Sequence, residues 1–326
     1  MRLKSVLAAA SVTGVALAGF VMSPSASGGL VTTCVGTAGA VTVPGDLVVP
    51  AGKSCTLEGT TIEGKVSVRA GADLVISNGT IKGAVGVAED GYIDAYRTAV
   101  TGNVSSTGAY GVYFDESQVA GSYTGKAGKE VAPFVFLGDS QVAKNFTVAA
   151  GETLVDSSKI AGNVTGTGGS YVDVINSTLG RALTVSNQTD GALVCGSEVD
   201  GAASLTGNAG VQIGTGSSLS TCDDVNYFGG DVTVSNNTVG TAVNGNIIRG
   251  NLAGEGNDPA PTGADNRVRG EATGQFADLG AAPAKAQVQR RSAAKAADRV
   301  EVTKDKAAER KAEAKDAAAD AGPAKL

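Results

Sequence analysis

One phrase recurs three times between Thr60 and Glu116 at a spacing of nineteen residues: TTIEGKVSVRAGADLVIS from Thr60, GTIKGAVGVAEDGYIDAY from Gly79 and TAVTGNVSSTGAYGVYFDE from Thr98. Extended along the apolar residue that follows an opening polar pair, the register runs Val43, Ile62, Ile81, Val100, Val119, Val142, Ile160, Leu179, Val199, Leu219, Val239, with gaps of 19, 19, 19, 19, 23, 18, 19, 20, 20 and 20. A period this regular restricts the chain to a fold in which each short unit buries its apolar face against the next copy.

Two residues after the anchor stands a glycine, at Gly45, Gly64, Gly83, Gly102, Gly121, Gly162 and Gly201, where each unit turns a corner. A short strand with alternate apolar positions follows, as in Val66 and Val68 or Leu183 and Val185, and after a second bend another, as in Leu74 and Ile76 or Val172 and Val174. The composition agrees: 47 glycines, seven phenylalanines and no tryptophan in 326 residues suit thin stacked layers better than an ordinary packed globule.

A nineteen-residue period with irregular corners resembles the right-handed parallel β-helix over Val41 to Asn257, so the expected fold is an all-β solenoid of about ten rungs. The wording, and the closing phrase GNLAGEGNDPAPTGADNRVRG from Gly250, also resemble a group of exported actinobacterial repeat proteins without an assigned activity. In that group cysteines often stand where this chain has Gly254 and Phe276, and here the chain departs from it.

Arg2 and Lys4, the apolar run Val6 to Met22 and the small residues SPSASGG read as a secretory signal peptide, residues 1–27, with cleavage near Ser27. Four cysteines suit an oxidising compartment, and three pairings are open to them; proximity favours Cys34 with Cys55 and Cys195 with Cys222. Their spacing is not that of a zinc site, histidine is absent, and neither a metal nor a cofactor is expected. The net charge of −6 gives no reason to expect nucleic acid as partner.

The remaining boundaries follow from composition. Residues 28–40 are expected to cap the first rung, 41–258 to form the β-helix, and 259–280 to close it, since the prolines of DPAPTG cannot donate to a ladder. Residues 281–326 are rich in alanine, lysine and glutamate, with only Val288, Val300 and Val302 to give a helix an apolar face. They read as a disordered or helical solvated tail, or as a tether, since eleven Lys/Arg oppose seven Asp/Glu there.

Nine of the fourteen aromatic residues fall between Tyr92 and Phe146. Strand parity puts Phe114 and Phe146 in the core and points Tyr92, Tyr96, Tyr113, Phe134 and Phe136 outward, with Asp94, Arg97 and Asp115 among them and Tyr171 and Asp173 further on. Flat rings flanked by carboxylates suit a polysaccharide or a cell-surface protein, and the same rings could simply ladder with one another.

The expected function is a secreted, non-enzymatic β-helix with a structural, adhesive or glycan-binding role at or outside the cell envelope. A polysaccharide lyase or hydrolase is the enzymatic alternative, for which Asp94, Asp115 and Arg97 are the one grouping in reach. A third is a self-stacking filament, as in bactofilin-like polymers. Corner asparagines are expected at Asn103, Asn145 and Asn163 rather than glycosylation sites, and a Thr-x-Thr ladder of the ice-binding kind, repeated at one outward position on many rungs, does not occur.

Overall fold

The computed structural model describes residues 29–129, 131–277, 279 and 286–326, with backbone alone for 286–298. The leader expected at 1–27 lies outside the described residues. The described residues form a right-handed parallel β-solenoid of about twelve turns, built from three parallel sheets of 12 strands each, and one C-terminal helix, α1 (Ala286–Ala321). Each turn gives one strand to every sheet: Val66–Val68 to sheet A, Asp73–Ser77 to sheet B and Thr80–Ile81 to sheet C. At about 4.8 Å per turn the rod is roughly 55 Å long.

Alternation decides which side chains form the core. In Tyr92–Tyr96, Ile93 and Ala95 point inward and stack on Leu74 and Ile76 below and on Val112 and Phe114 above. Val66, Val85 and Val104 form an equivalent column in sheet A, and Ile62, Ile81 and Val100 one in sheet C. The period of two is thus repeated by stacking, and one continuous core runs along the rod.

Three expectations about register need correcting. The ladder begins earlier than 41: Val31–Thr33 and Gly36–Ala38 pair with Asp46–Val49 and Ser54–Glu58, so 28–40 contains a first turn rather than a separate cap. It also ends later than 258, because Pro259 and Pro261 fall in the bend before Thr262–Ala264, where no ladder donor is needed. Finally, the anchors after Val199 are Phe228, Ile248 and Val268, not Leu219 and Val239. An inserted loop around Cys222 carries Leu219 out of register, and Val239 is 67% exposed.

The polar corners form their own ladders. Where sheet B bends into sheet C, the backbone N–H of Thr98, Ser117, Ser140, Ser158 and Ser177 each donates to the serine hydroxyl of the next turn. Asn226, Asn246 and Asn266 continue that column, and Asn208, Asn237 and Asn257 build a second one, all but Asn266 buried. At the next corner Asn103, Asn145 and Asn163 accept from the backbone N–H of Ser122, Asn163 and Ala182, which is the corner role expected of them. Outward on sheet A, Ser105, Thr124, Thr147, Thr165, Thr184, Ser204 and Thr233 align in one column. Serine mixed with threonine and unequal gaps hide this hydroxyl ladder in the sequence.

Both favoured disulfides form. Cys34–Cys55 ties the first turn to the second, and Cys195–Cys222 pins the inserted loop to sheet B. At the far end Phe276 is buried, and a Cβ on Gly254 would stand 2.9 Å from its ring. Gly254 and Phe276 are therefore neighbours, a ring lying over a glycine.

Candidate functional site

The aromatic residues singled out by parity do point away from the core of the solenoid, from sheet B. Pairing sets Asp73, Tyr92, Gly111, Phe134, Glu152 and Tyr171 in one outward column, and Val75, Asp94, Tyr113, Phe136, Leu154 and Asp173 in the next. Gly111 has a role of its own, because the Phe134 ring occupies the space that a Cβ at this position would need. That close approach lets Phe134 meet Tyr110 edge-on at 5.7 Å and Tyr92 at 6.2 Å, while Tyr113 stacks on Phe136 at 4.7 Å.

Helix α1 lies over both columns, so the tail is packed rather than fully solvated. Its rise explains the fit. From Arg299, beside Asp173, to Gly322, beside Thr37, α-helical geometry gives roughly 35 Å, and seven turns of solenoid span about 34 Å. The side turned inward carries Thr303, Ala307, Ala314 and Ala318, all buried, and alanine lets the helix backbone come close to the rings. The Tyr92 hydroxyl is 3.1 Å from both the Ala307 carbonyl and Asp94 Oδ2, Tyr110 donates to the Lys306 carbonyl, and Tyr171 bonds Thr303.

Charge is divided cleanly across this contact. Arg299 faces Asp173, Lys306 holds Glu152, Arg310 reaches Asp73 and Asp90, and Lys311 Nζ is 2.8 Å from Asp94 Oδ1. Arg299 and Arg310 also sit over the rings of Tyr171 and Tyr110, and Lys304 over Phe136. Burial pushes the Asp173 carboxyl up to about 6, against the opposing pull of Arg299, and raises Asp73 in the same way. It also raises the Tyr113 phenol to about 12.

The eight residues expected to form a contact patch are therefore split. Tyr92, Asp94, Phe134 and Phe136 are buried under α1, and Tyr113 and Asp115 are partly covered. Tyr96 and Arg97 remain at the open edge, where Arg97 and the Tyr96 hydroxyl both bond Glu116. Arg97 and Glu116 have φ of 46° and 47°, in the corner column where other turns place Gly59, Asn78 or Asn176. Of the grouping named for an enzyme, Asp94 is met by Lys311 and Arg97 bonds Glu116.

What sequence reasoning missed is the helix as occupant of this face. The available signal was the spacing of Val300, Thr303, Ala307, Ala314 and Ala318, which is that of a helix packed along one seam, written in residues too small to register as apolar. Among the described residues no group of His, Cys, Asp and Glu is placed to hold a metal ion, and no helix is long and apolar enough to cross a membrane. Compared with protein-family models, curated proteins and solved structures, the chain matches none.

Proposed function

We propose that the chain is an exported, non-enzymatic β-helix protein acting at or outside the cell envelope as a contact rod, with the aromatic face of sheet B as its contact region. The observation that carries this reading is that the face holds a segment already: the rings of Tyr92, Tyr113, Phe134, Phe136 and Tyr171, flanked by Asp73, Asp94, Glu152 and Asp173, lie against the helix over about 24 Å of the rod. A surface with that reach suits an extended partner, a polysaccharide or a segment of a cell-surface protein. Two disulfides and the apolar N-terminal run support export.

With α1 in place, Tyr96 and Arg97 offer the accessible part of the contact region. Tyr92, Asp94, Tyr113, Asp115, Phe134 and Phe136 complete it where the helix gives way. The test is a glycan-array and cell-wall pull-down with the mature chain beside a Tyr96→Ala/Arg97→Ala variant. Binding lost in the variant supports the face, and binding kept by both moves the contact to another surface. If neither binds, the protein is a structural rod without a contact role.

A further inference from the structure

We propose that α1 is an electrostatic strap, which undocks as a unit while the solenoid stays folded and thereby uncovers the aromatic face. Every ion pair described between the two runs one way, with cations on the helix and acids on the solenoid. The helix itself brings little apolar surface to the contact: its described inward side chains are Thr303, three alanines and a partly buried Val300, set against the rings of Tyr92, Phe134, Phe136 and Tyr171. Burying an alanine removes far less surface from water than burying a leucine or a phenylalanine.

The solenoid does not need the helix for its own cohesion. Its turns are joined by three continuous parallel ladders, buried asparagine and serine columns and two disulfides, none of which includes a helix residue. Released, an alanine-, lysine- and glutamate-rich segment keeps good helix propensity. The hydroxyls of Tyr92, Tyr110 and Tyr171, which now bond the helix, can bond water instead. Opposite charges across a contact to which the helix brings few large apolar side chains make salt the natural lever.

The consequence for partner binding rests on the reading of sheet B as a contact face, but undocking is measured without any partner. Hydrogen exchange on the full mature chain is compared between about 50 mM and about 1 M NaCl, where the screening length falls to about 3 Å. We expect amides of 299–321 to exchange at least about tenfold faster at high salt while those of the sheet B strands hold. Lys306→Glu should quicken the same helix amides a few-fold at low salt, and Glu152→Lys combined with Lys306→Glu should restore protection. Salt-independent protection of the helix overturns the strap, as does loss of helix and solenoid protection together. Equal exchange in the single and the swapped variants overturns its electrostatic basis.

Discussion

Lys306 donates to both carboxylate oxygens of Glu152, at 2.9 and 3.0 Å, across 154 residues of sequence. The pair is partly open to solvent, so its worth is modest, about 0.5 kcal/mol or less once screening is allowed for. Its importance lies in position, midway along a row of such pairs that fixes where the helix sits on the rod.

The alanine seam should be intolerant of size. Ala314 is 1% exposed, and Ala314→Leu forces the helix away from sheet B at about 1–3 kcal/mol. Ala312→Leu, on the open side of the same turn, should change stability by less than about 0.5 kcal/mol. Thermal unfolding of the two variants against the parent checks the difference.

Docking should depend on pH in a direction opposite to that of most salt-bridged contacts. Burial raises Asp173 from 3.8 to about 6, so the docked form holds its proton more tightly than a carboxyl in water. The contribution of this group is then complete below about pH 4 and is lost as pH rises through about 6, on the order of 2–3 kcal/mol in all. Helix protection should accordingly fall between about pH 4 and 6, as shown by hydrogen exchange corrected for intrinsic rate. In Asp173→Asn that fall should shrink.

Asn237 accepts from the backbone and side-chain nitrogens of Asn208 and donates to Asn257 and to the Leu205 carbonyl, all in a buried column. Asn237→Ala leaves those partners unsatisfied and should cost about 2–3 kcal/mol. Asn163→Ala, at an exposed corner, should cost under about 1 kcal/mol by the same unfolding measurement.

Cys195 and Cys222 stand 27 residues apart and close the inserted loop. Replacing both by serine should lower stability by about 3 kcal/mol in the chain-entropy view. Denaturant titration of the variant, without reductant, reads this directly.

Much of the solenoid was legible because two periodicities agree. The nineteen-residue repeat brings Ile62, Ile81 and Val100 together, and strand alternation tells Ile93 from Tyr92. Legibility failed where a local insertion broke the count, so that Leu219 was aligned in place of Phe228. The wall of the candidate site was readable for the same reason as the core, since parity alone sends Tyr92, Tyr113 and Phe136 outward. What covers them was not, because Ala307, Ala314 and Ala318 carry almost no hydrophobic signal and their partners lie far away in sequence.

Past the helix, the last residues return to the first turn. The Thr37 N–H donates to the Gly322 carbonyl, the Ala324 N–H donates to the Thr37 carbonyl, and Ala324 and Leu326 pack against the core at that end. A solenoid can grow turn by turn as the chain emerges, each rung templating the next. The edge at Gly36–Ala38, however, waits for Gly322–Ala324, which emerge after every turn of the solenoid. Until they arrive, the first-made end of a nascent rod presents unpaired strand groups to its neighbours, which makes emergence of the segment after α1 the step that ends its exposure to edge-to-edge aggregation.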